Sequence, residues 1–229
     1  MIPAAARSEA AAGIMGPAVF TAAWIASSLR QGQYPAAEIQ ISGLAAPGAR
    51  DPGIMVAGFV VLGGCTVAFG AALHDALGGR GQAGPAPRLI QAAGLLTVAA
   101  GLLRRDRMLL APGSVSWHNH AHDVISLLIY VDLVVAQMLL AARFGRDPRG
   151  PDPGWRSWRP WLLASSLATG AVLAAFAADT SAAAAGVVQR VGVSIPLAAV
   201  AAIAVRLLGS PARGGPPARN GPKARGGRP

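Results

Sequence analysis

Six long apolar segments, separated by short polar stretches, dominate this 229-residue sequence. Hydrophobic residues make up 53% of the chain and charged residues only 13%, whereas a soluble domain contains roughly 25% charged residues. One globular core cannot bury so much apolar surface, but lipid can solvate it. A helix needs about 20 mostly apolar residues to cross roughly 30 Å of hydrocarbon. The segments that approach this length are 11–29, 54–77, 89–103, 124–142, 161–178 and 187–208.

These segments predict an all-α integral membrane protein in which six helices form one spanning bundle. We divide the chain into a cytoplasmic tail (1–10), a transmembrane domain (11–208) and a second tail (209–229). The second tail is rich in Pro, Gly and Arg and has no large apolar side chains to bury, so we expect a disordered basic cytoplasmic tail. The third segment is the shortest, and we expect its helix to continue past Arg104, through 104–110.

Lysine and arginine are distributed unevenly between the two sides of the predicted bundle. Most of them lie in the two tails and in the loops after the second and fourth segments. Because cytoplasmic loops carry the excess of positive charge, we expect both termini to be cytoplasmic (N-in/C-in). The composition, rich in Ala, Gly, Arg and Pro, is typical of a GC-rich bacterial genome. The predicted location is therefore the bacterial plasma membrane, with the lipid bilayer as the partner.

The net charge of +10 could also indicate a nucleic-acid-binding protein. Such proteins cluster basic residues on one face, within an aromatic or motif context. Here the arginines are spread over loops and tails between apolar segments, so we expect no nucleic acid partner. The single cysteine, Cys65, excludes an intramolecular disulfide, and the sequence does not determine the oligomeric state.

Three of the four histidines, His118, His120 and His122, lie within five residues at the start of the fourth segment, on the predicted outer side. On a helix, His118 and His122 share a face, with the i, i+4 spacing that two zinc-binding imidazoles use. If the segment is extended, all three side chains lie on one side. Carboxylates predicted near this cluster that could complete a zinc site are Asp51, Asp106, Asp123 and Asp179. The alternatives are a structural hydrogen-bonding cluster and a proton-responsive or ligand-binding cluster, because histidine titrates near pH 6.5.

Polar residues continue along one face of the fourth segment beyond the histidines. At helical periodicity, Ser126, Tyr130 and Gln137 fall on the same side as His122. A polar stripe on a membrane helix faces the bundle interior or water, so it predicts a polar cavity that opens on the outer side. Asp132 lies off this stripe, near the middle of the bilayer. An intramembrane carboxylate is costly, which makes Asp132 either a functional residue or a contact that holds two helices together.

An arginine-rich turn precedes the histidine cluster. Arg104, Arg105 and Arg107 surround Asp106 on the sparsely basic side, against the general charge distribution. Arginine pairs with carboxylates or with lipid phosphates through its planar fork of N–H donors. These residues are therefore candidates for binding a ligand, with ordinary ion pairing to nearby aspartates as the alternative.

Short motifs in the chain resemble a known family. They are Ser42-Gly43-Leu44 and Asp51-Pro52 before the second segment, Gly94 to Gly101 leading to Arg105-Asp106, and Trp117-His118-Asn119-His120 with His122-Asp123. With these motifs the chain resembles the domain-of-unknown-function 998 family of bacterial multi-span membrane proteins, over most of residues 15–208. The resemblance implies a six-helix membrane fold and no particular activity. The arrangement is also distantly similar to intramembrane zinc-dependent lipid hydrolases of the alkaline ceramidase group, but their late His-x-x-x-His is absent here.

Three functional hypotheses follow. The leading one is a non-enzymatic membrane protein that binds or senses a polar or lipid head-group ligand, in an outward pocket formed by the third and fourth segments and the loop 30–53. Its candidate ligand-binding residues are Arg104, Arg105, Asp106, Arg107, His118, His120, His122, Asp123 and Asp132. The second is a metal-dependent intramembrane lipid hydrolase with zinc on His118 and His122. The third is a proton-coupled small transporter that uses Asp132, and no catalytic residue follows from the sequence.

Overall fold

The computed structural model describes residues 4–78, 83–108, 115–146, 153–178 and 182–209. These residues form helices and connecting segments, and no β strand occurs among them. The α helices are α1 (Ala4–Arg30), α2 (Pro52–Ala76), α3 (Ala86–Leu102), α4 (Trp117–Arg146), α5 (Arg159–Ala178) and α6 (Ala185–Gly209). Short 3₁₀ helices cover Ile41–Ala45, Pro153–Trp158 and Ala182–Ala184. The predicted all-α class is therefore confirmed.

Each predicted apolar segment coincides with an α helix, but two helix ends differ from the sequence-based expectation. Helix α1 begins at Ala4, so most of the expected tail 1–10 is helical. The expected extension of the third helix through 104–110 is wrong for the residues that the structure describes, since α3 ends at Leu102 and Leu103 leaves the helical region with φ −86° and ψ 71°. The physical reason is that residues after Leu103 bind other parts of the chain: Arg105 donates to Gln40, and Asp106 accepts from Ser116.

Some of the expectations fall on residues that the structure does not describe. These are most of the second tail (210–229), the end of the segment 104–110 and the candidate ligand Asp179.

Within the described residues, four helices are long and apolar enough to cross a membrane. The candidate spans are Arg7–Arg30, Pro52–Ala76, Trp117–Gly145 and Ala185–Gly209. Helix α3 is also apolar, but at 17 residues it is shorter than these. Large apolar side chains such as Leu95, Leu128 and Leu167 are exposed on the outside of the helices, as expected of a surface that lipid solvates. These four helices indicate a membrane-embedded protein.

Each α helix packs against the helices that precede and follow it, and α6 also packs against α1. The contacts therefore close into a ring. Consecutive helices run in opposite directions, as seen where Gly63 of α2 meets Gly94 of α3 and Gly101 of α3 meets Phe59 of α2. The ends of α1, α3 and α5 and the starts of α2, α4 and α6 therefore lie together. We call this the capped end.

The segment between α1 and α2 folds back over the capped end. Its 3₁₀ helix Ile41–Ala45 is buried at all five positions. Gly43 lies against the backbone carbonyl of Met108, where a Cβ atom would not fit. The loop closes this end of the ring, and we call residues 34–46 the cap.

The cap is held mainly by the start of α6. Arg190 donates hydrogen bonds to the backbone carbonyls of Ala36 and Ile39 at 2.7 and 2.9 Å, and to the hydroxyl of Tyr34. Its guanidinium also lies over the rings of Trp24 and Tyr34, at 5.4 and 5.7 Å from the centroids. Because one planar cation satisfies several acceptors and two aromatic faces, Arg190 fixes the position of the cap.

Candidate functional site

At the capped end, a carboxylate after α3 binds the start of α4. Ser116 donates to Asp106 from its backbone N–H and from its hydroxyl, each at 2.6 Å. The hydroxyl of Ser116, followed by its backbone N–H, holds the pKa of Asp106 below its usual range. Ser116 Oγ also accepts from the N–H of Asn119 at 3.3 Å, so it caps the first turn of α4. This contact fixes the segment after α3 against α4.

His118 lies beside the same serine, with Nδ1 2.6 Å from Ser116 Oγ and 3.8 Å from Asp106 Oδ1. A serine nucleophile must give its proton to the histidine. Here the carboxylate of Asp106 can only accept, so the Ser116 hydroxyl donates its hydrogen bond to Asp106. His118 Nδ1 then donates a hydrogen bond to the serine oxygen. The arrangement is a hydrogen-bonded surface cluster and not an activated serine.

Arg105 lies inside the protein, where it connects three elements. Only 12% of its side chain is exposed. It donates a hydrogen bond to Gln40 Oε1 of the cap and lies 3.7 Å from Asp123 Oδ1 of α4. Burial lowers the pKa of the Arg105 guanidinium, and the charges of Asp123 and Asp106 act in the opposite direction. Because these partners already occupy Arg105, its contacts are those of a residue that holds the cap in place.

The other members of the arginine and histidine cluster lie at the surface. Arg104, Arg107 and His120 are exposed. The ring of Trp117 is 69% exposed and packs against His118 with centroids 4.6 Å apart. Arg104, Arg107 and His120 therefore lie on the surface, whereas Arg105 is mostly buried, and the outward pocket stays a prediction.

His122 is buried, whereas His118 lies at the surface. His122 is 2% exposed, and its Nδ1 lies 2.9 Å from the backbone oxygens of both Ala100 and Leu103 at the end of α3. Phe59 of α2 meets the imidazole edge to face, with ring centroids 6.4 Å apart. The last carbonyls of α3 have no partner within their own helix, so His122 satisfies them and positions its ring between three helices.

The zinc site predicted from His118 and His122 is not supported by this geometry. Both histidines lie on α4 with the predicted spacing, but Nδ1 of His118 contacts a serine whereas Nδ1 of His122 contacts backbone carbonyls. Among the residues described, no three or more His, Cys, Asp or Glu side chains are grouped so that they could hold a metal ion. The described residues therefore do not supply the ligand set that the hydrolase hypothesis needs.

A cavity of about 70 Å³ lies inside the ring of helices. By this measure a single water needs roughly 10–15 Å³, so the space is large enough for several waters or a narrow organic group. Its walls come from every α helix except α5 and from the cap, and none of the described residues that line it carries a formal charge. The residues that line it are Phe20, Ile41, Ser42, Phe59, Leu62, Thr66, Ala93, Thr97, His122, Ser126, Ile129, Tyr130, Leu133, Gln189, Val193, Pro196, Leu197 and Val200.

Some polar groups of this mostly apolar wall already have partners. Thr66 and Thr97 donate to carbonyls of their own helices at 2.8 and 2.7 Å. Ser42 of the cap contacts Gln189 of α6 through its backbone N–H and its hydroxyl, both at 3.4 Å. These groups are therefore satisfied within the protein.

Three polar groups on α4 are different. His122, Ser126 and Tyr130 line the cavity, and neither His122 Nε2 nor the two hydroxyls have a hydrogen-bond partner within the described part of the chain. They are spaced four residues apart, so they follow one another along one helix face at steps of about 6 Å. The stripe predicted from helical periodicity thus faces the cavity at these three positions.

Two other polar residues of α4 lie away from the cavity. Gln137, which the stripe included, is buried and donates to the carbonyl of Leu133 at 3.2 Å. Asp132 is half-buried and does not line the cavity. The transporter hypothesis requires Asp132 to face an internal space, and this cavity does not provide that position.

Sequence reasoning did not identify Gln40, Phe59 or Gln189, which complete the walls of the cavity or hold its cap. The signal for Gln189 was present, because a polar residue inside an apolar membrane helix is costly and uncommon. Gln40 and Phe59 gave no such signal, since their contacts are with residues far away in the sequence.

The all-helical chain, its long apolar helices and its uncharged internal cavity define a membrane-embedded α-helical protein. The chain belongs to the DUF998 family, which is described as a protein of unknown function and matches residues 14–206. The resemblance predicted from short motifs is thereby confirmed, and the match reaches all six α helices. No curated protein and no solved structure matches the chain.

Proposed function

We propose that this protein binds an uncharged, mostly apolar ligand in the cavity inside its ring of helices. In this proposal the six helices span the bacterial plasma membrane as one bundle, with both termini cytoplasmic and the capped end outside. The distribution of lysine and arginine along the chain supports this orientation. The four long apolar helices support the membrane location.

The observation that carries the proposal is the row of three polar groups on α4. Buried polar groups in proteins nearly always have a hydrogen-bond partner, and leaving one without a partner costs about 1–3 kcal/mol. His122 Nε2 and the hydroxyls of the half-buried Ser126 and Tyr130 have no hydrogen-bond partner among the described residues, and all three side chains line the cavity. A bound molecule that offers hydrogen-bonding groups would satisfy them.

The charge of the cavity restricts the ligand. Among the residues that the structure describes, no Asp, Glu, Lys or Arg lines it. Burying a charge without a partner is far more costly than burying a neutral polar group. An anionic head group is therefore a poor match for this space. An anionic head group is also a poor match for Arg105, because this side chain already contacts Asp123 and Gln40 of the cap. Binding is accordingly proposed inside the ring rather than in an outward His/Arg/Asp pocket.

Photolabelling with a diazirine-bearing octanol tests the proposal. The protein is placed in nanodiscs of phosphatidylglycerol and phosphatidylethanolamine, labelled by light, and digested for mass spectrometry. We expect label on cavity residues such as Ile129 and Val193, and excess unlabelled n-octanol should remove it. Label on the outward-facing Leu167, which is 70% exposed, should not saturate.

A cavity-filling variant provides the control. Ala93→Phe places a ring in the cavity from α3 and should abolish the saturable label, whereas Leu95→Phe on the exposed side of the same helix should not. Ser126→Leu fills the same space from α4 if Ala93→Phe does not fold. Cavity label that is absent in the wild type, or that n-octanol does not displace, would refute the proposal.

A further inference from the structure

The contacts of His122 restrict the chemistry of the ligand beyond its being uncharged. Both atoms that face Nδ1 are backbone carbonyl oxygens, those of Ala100 and Leu103. A carbonyl oxygen can only accept a hydrogen bond. Nδ1 must therefore carry a proton and donate it, shared between the two oxygens.

The protonation of Nδ1 also determines what the other ring nitrogen, Nε2, can do. His122 is almost completely buried and its ring contacts carbonyls and Phe59, with no carboxylate among the groups bonded to it. Burying an unpaired imidazolium is costly, so the ring is neutral. A neutral imidazole with a proton on Nδ1 has a lone pair on Nε2. The cavity therefore contains a hydrogen-bond acceptor at the end nearest the cap.

We infer that the ligand donates a hydrogen bond to His122 Nε2 and that it is a lipid-like alcohol, an inference that rests on the proposed function. A hydroxyl group is the uncharged donor that suits an otherwise apolar molecule. Ethers, ketones, esters and quinones have acceptors only, so they would leave two lone pairs facing each other at His122. The carbon chain would extend from His122 past Ser126 toward Tyr130, which lies about 12 Å further along the helix.

Ser126 and Tyr130 place no further requirement on the hydrogen-bonding groups of the ligand. Ser126 and Tyr130 carry hydroxyls, which both donate and accept, so either can bind an oxygen of the ligand in whichever direction it requires. The requirement for a donor therefore comes from His122 alone. Alcohols therefore differ from ligands that carry only acceptors by one atom, the hydroxyl hydrogen.

A matched pair of competitors tests this requirement. n-Octanol and methyl heptyl ether have the same length and differ in the hydrogen-bond donor. We expect n-octanol to displace the cavity photolabel at about a tenfold lower concentration than the ether, the effect of about one hydrogen bond. In His122→Phe, which has no acceptor, the two competitors should act at equal concentrations.

A spectroscopic measurement tests the tautomer without a variant. The chain has four histidines, so nitrogen-15 solid-state NMR of histidine-labelled protein gives few signals. One neutral ring should carry its proton on Nδ1, and its Nε2 signal should shift with n-octanol and not with the ether. Equal displacement by alcohol and ether in the wild type, or a proton on Nε2 of His122, would overturn the inference and leave the cavity proposal intact. Failure of both competitors to displace cavity label would instead overturn the proposed function.

Discussion

Gly63 and Gly94 bring the backbones of α2 and α3 into direct contact, and this contact yields a quantitative prediction. A Cβ atom on Gly63 would lie 2.5 Å from the carbonyl oxygen of Gly94 and 2.8 Å from the backbone nitrogen of Val98. A Cβ atom on Gly94 would lie 2.7 Å from the carbonyl oxygen of Gly63. The perturbation is therefore a single methyl group at Gly63, introduced by Gly63→Ala.

The size of the effect follows from these distances. Ordinary van der Waals contact begins at 3.4 Å, so the two helices must separate by about 1 Å, because the opposing backbone atoms cannot rotate away. Overpacking of this kind costs about 1–3 kcal/mol, and alanine regains about 0.5–1 kcal/mol of helix propensity over glycine. We expect Gly63→Ala to lower the free energy of unfolding by about 1 kcal/mol, the difference between these two effects.

The neighbouring glycine is a matched control. Gly64 lies in the same turn of α2, but nothing lies within 4 Å of the position of its Cβ atom. Gly64→Ala should therefore gain helix propensity without any steric cost and raise the free energy of unfolding by about 0.5–1 kcal/mol. The two adjacent substitutions should change stability in opposite directions.

Thermal unfolding in one detergent, followed by circular dichroism, measures the difference. For a chain of this size about 1 kcal/mol corresponds to roughly 2–4 °C, so Gly63→Ala should lower Tm by about 2–4 °C. Gly64→Ala should keep or raise Tm. If Gly63→Ala and Gly64→Ala unfold at the same temperature, the backbone contact between α2 and α3 is not as close as the structure has it.

Two further predictions concern the capped end. Ser116→Ala should destabilise the protein at neutral pH, because Ser116 caps α4 and lowers the pKa of Asp106. A carboxylate whose pKa is lowered in the folded protein stabilises it above the ordinary aspartate pKa, and this stabilisation is lost as the pH falls through the pKa of the folded state. The difference in free energy of unfolding between wild type and Ser116→Ala, measured by chemical denaturation, should therefore become smaller in acid. A difference that becomes larger would contradict the assignment. Arg190→Lys removes the fork that holds Ala36 and Ile39, so hydrogen exchange in the cap should accelerate. Arg30→Lys, which alters only the exposed pair with Asp51 at the same end, should leave that exchange unchanged.

The sequence alone determined the secondary structure and the membrane class. Six apolar segments predicted six helices at nearly the observed positions, because a chain in lipid must satisfy its backbone hydrogen bonds within each segment. Helical periodicity also placed His122, Ser126 and Tyr130 on one face. That prediction depends only on residues close in the sequence, and the structure has all three at the cavity.

Tertiary structure decided which of the predicted site residues meet. Arg105 pairs with Gln40 of the cap, and His122 binds the carbonyls at the end of α3. These partners are far apart in the sequence, so neither periodicity nor charge spacing could identify them. The tertiary contacts also accompany the end of α3 at Leu102. His118 contacts Ser116 and does not share the partners of His122.

The physical reason for this division is the range of the interactions. Helix formation and amphipathic faces arise from residues within a few positions of each other, and a sequence displays them directly. A hydrogen-bond partner is selected by which helices pack side by side, which here depends on glycine contacts such as that of Gly63 with Gly94. The sequence thus determined that α4 carries a polar face, and only the packed helices decided that His122, Ser126 and Tyr130 on this face line a mostly apolar cavity.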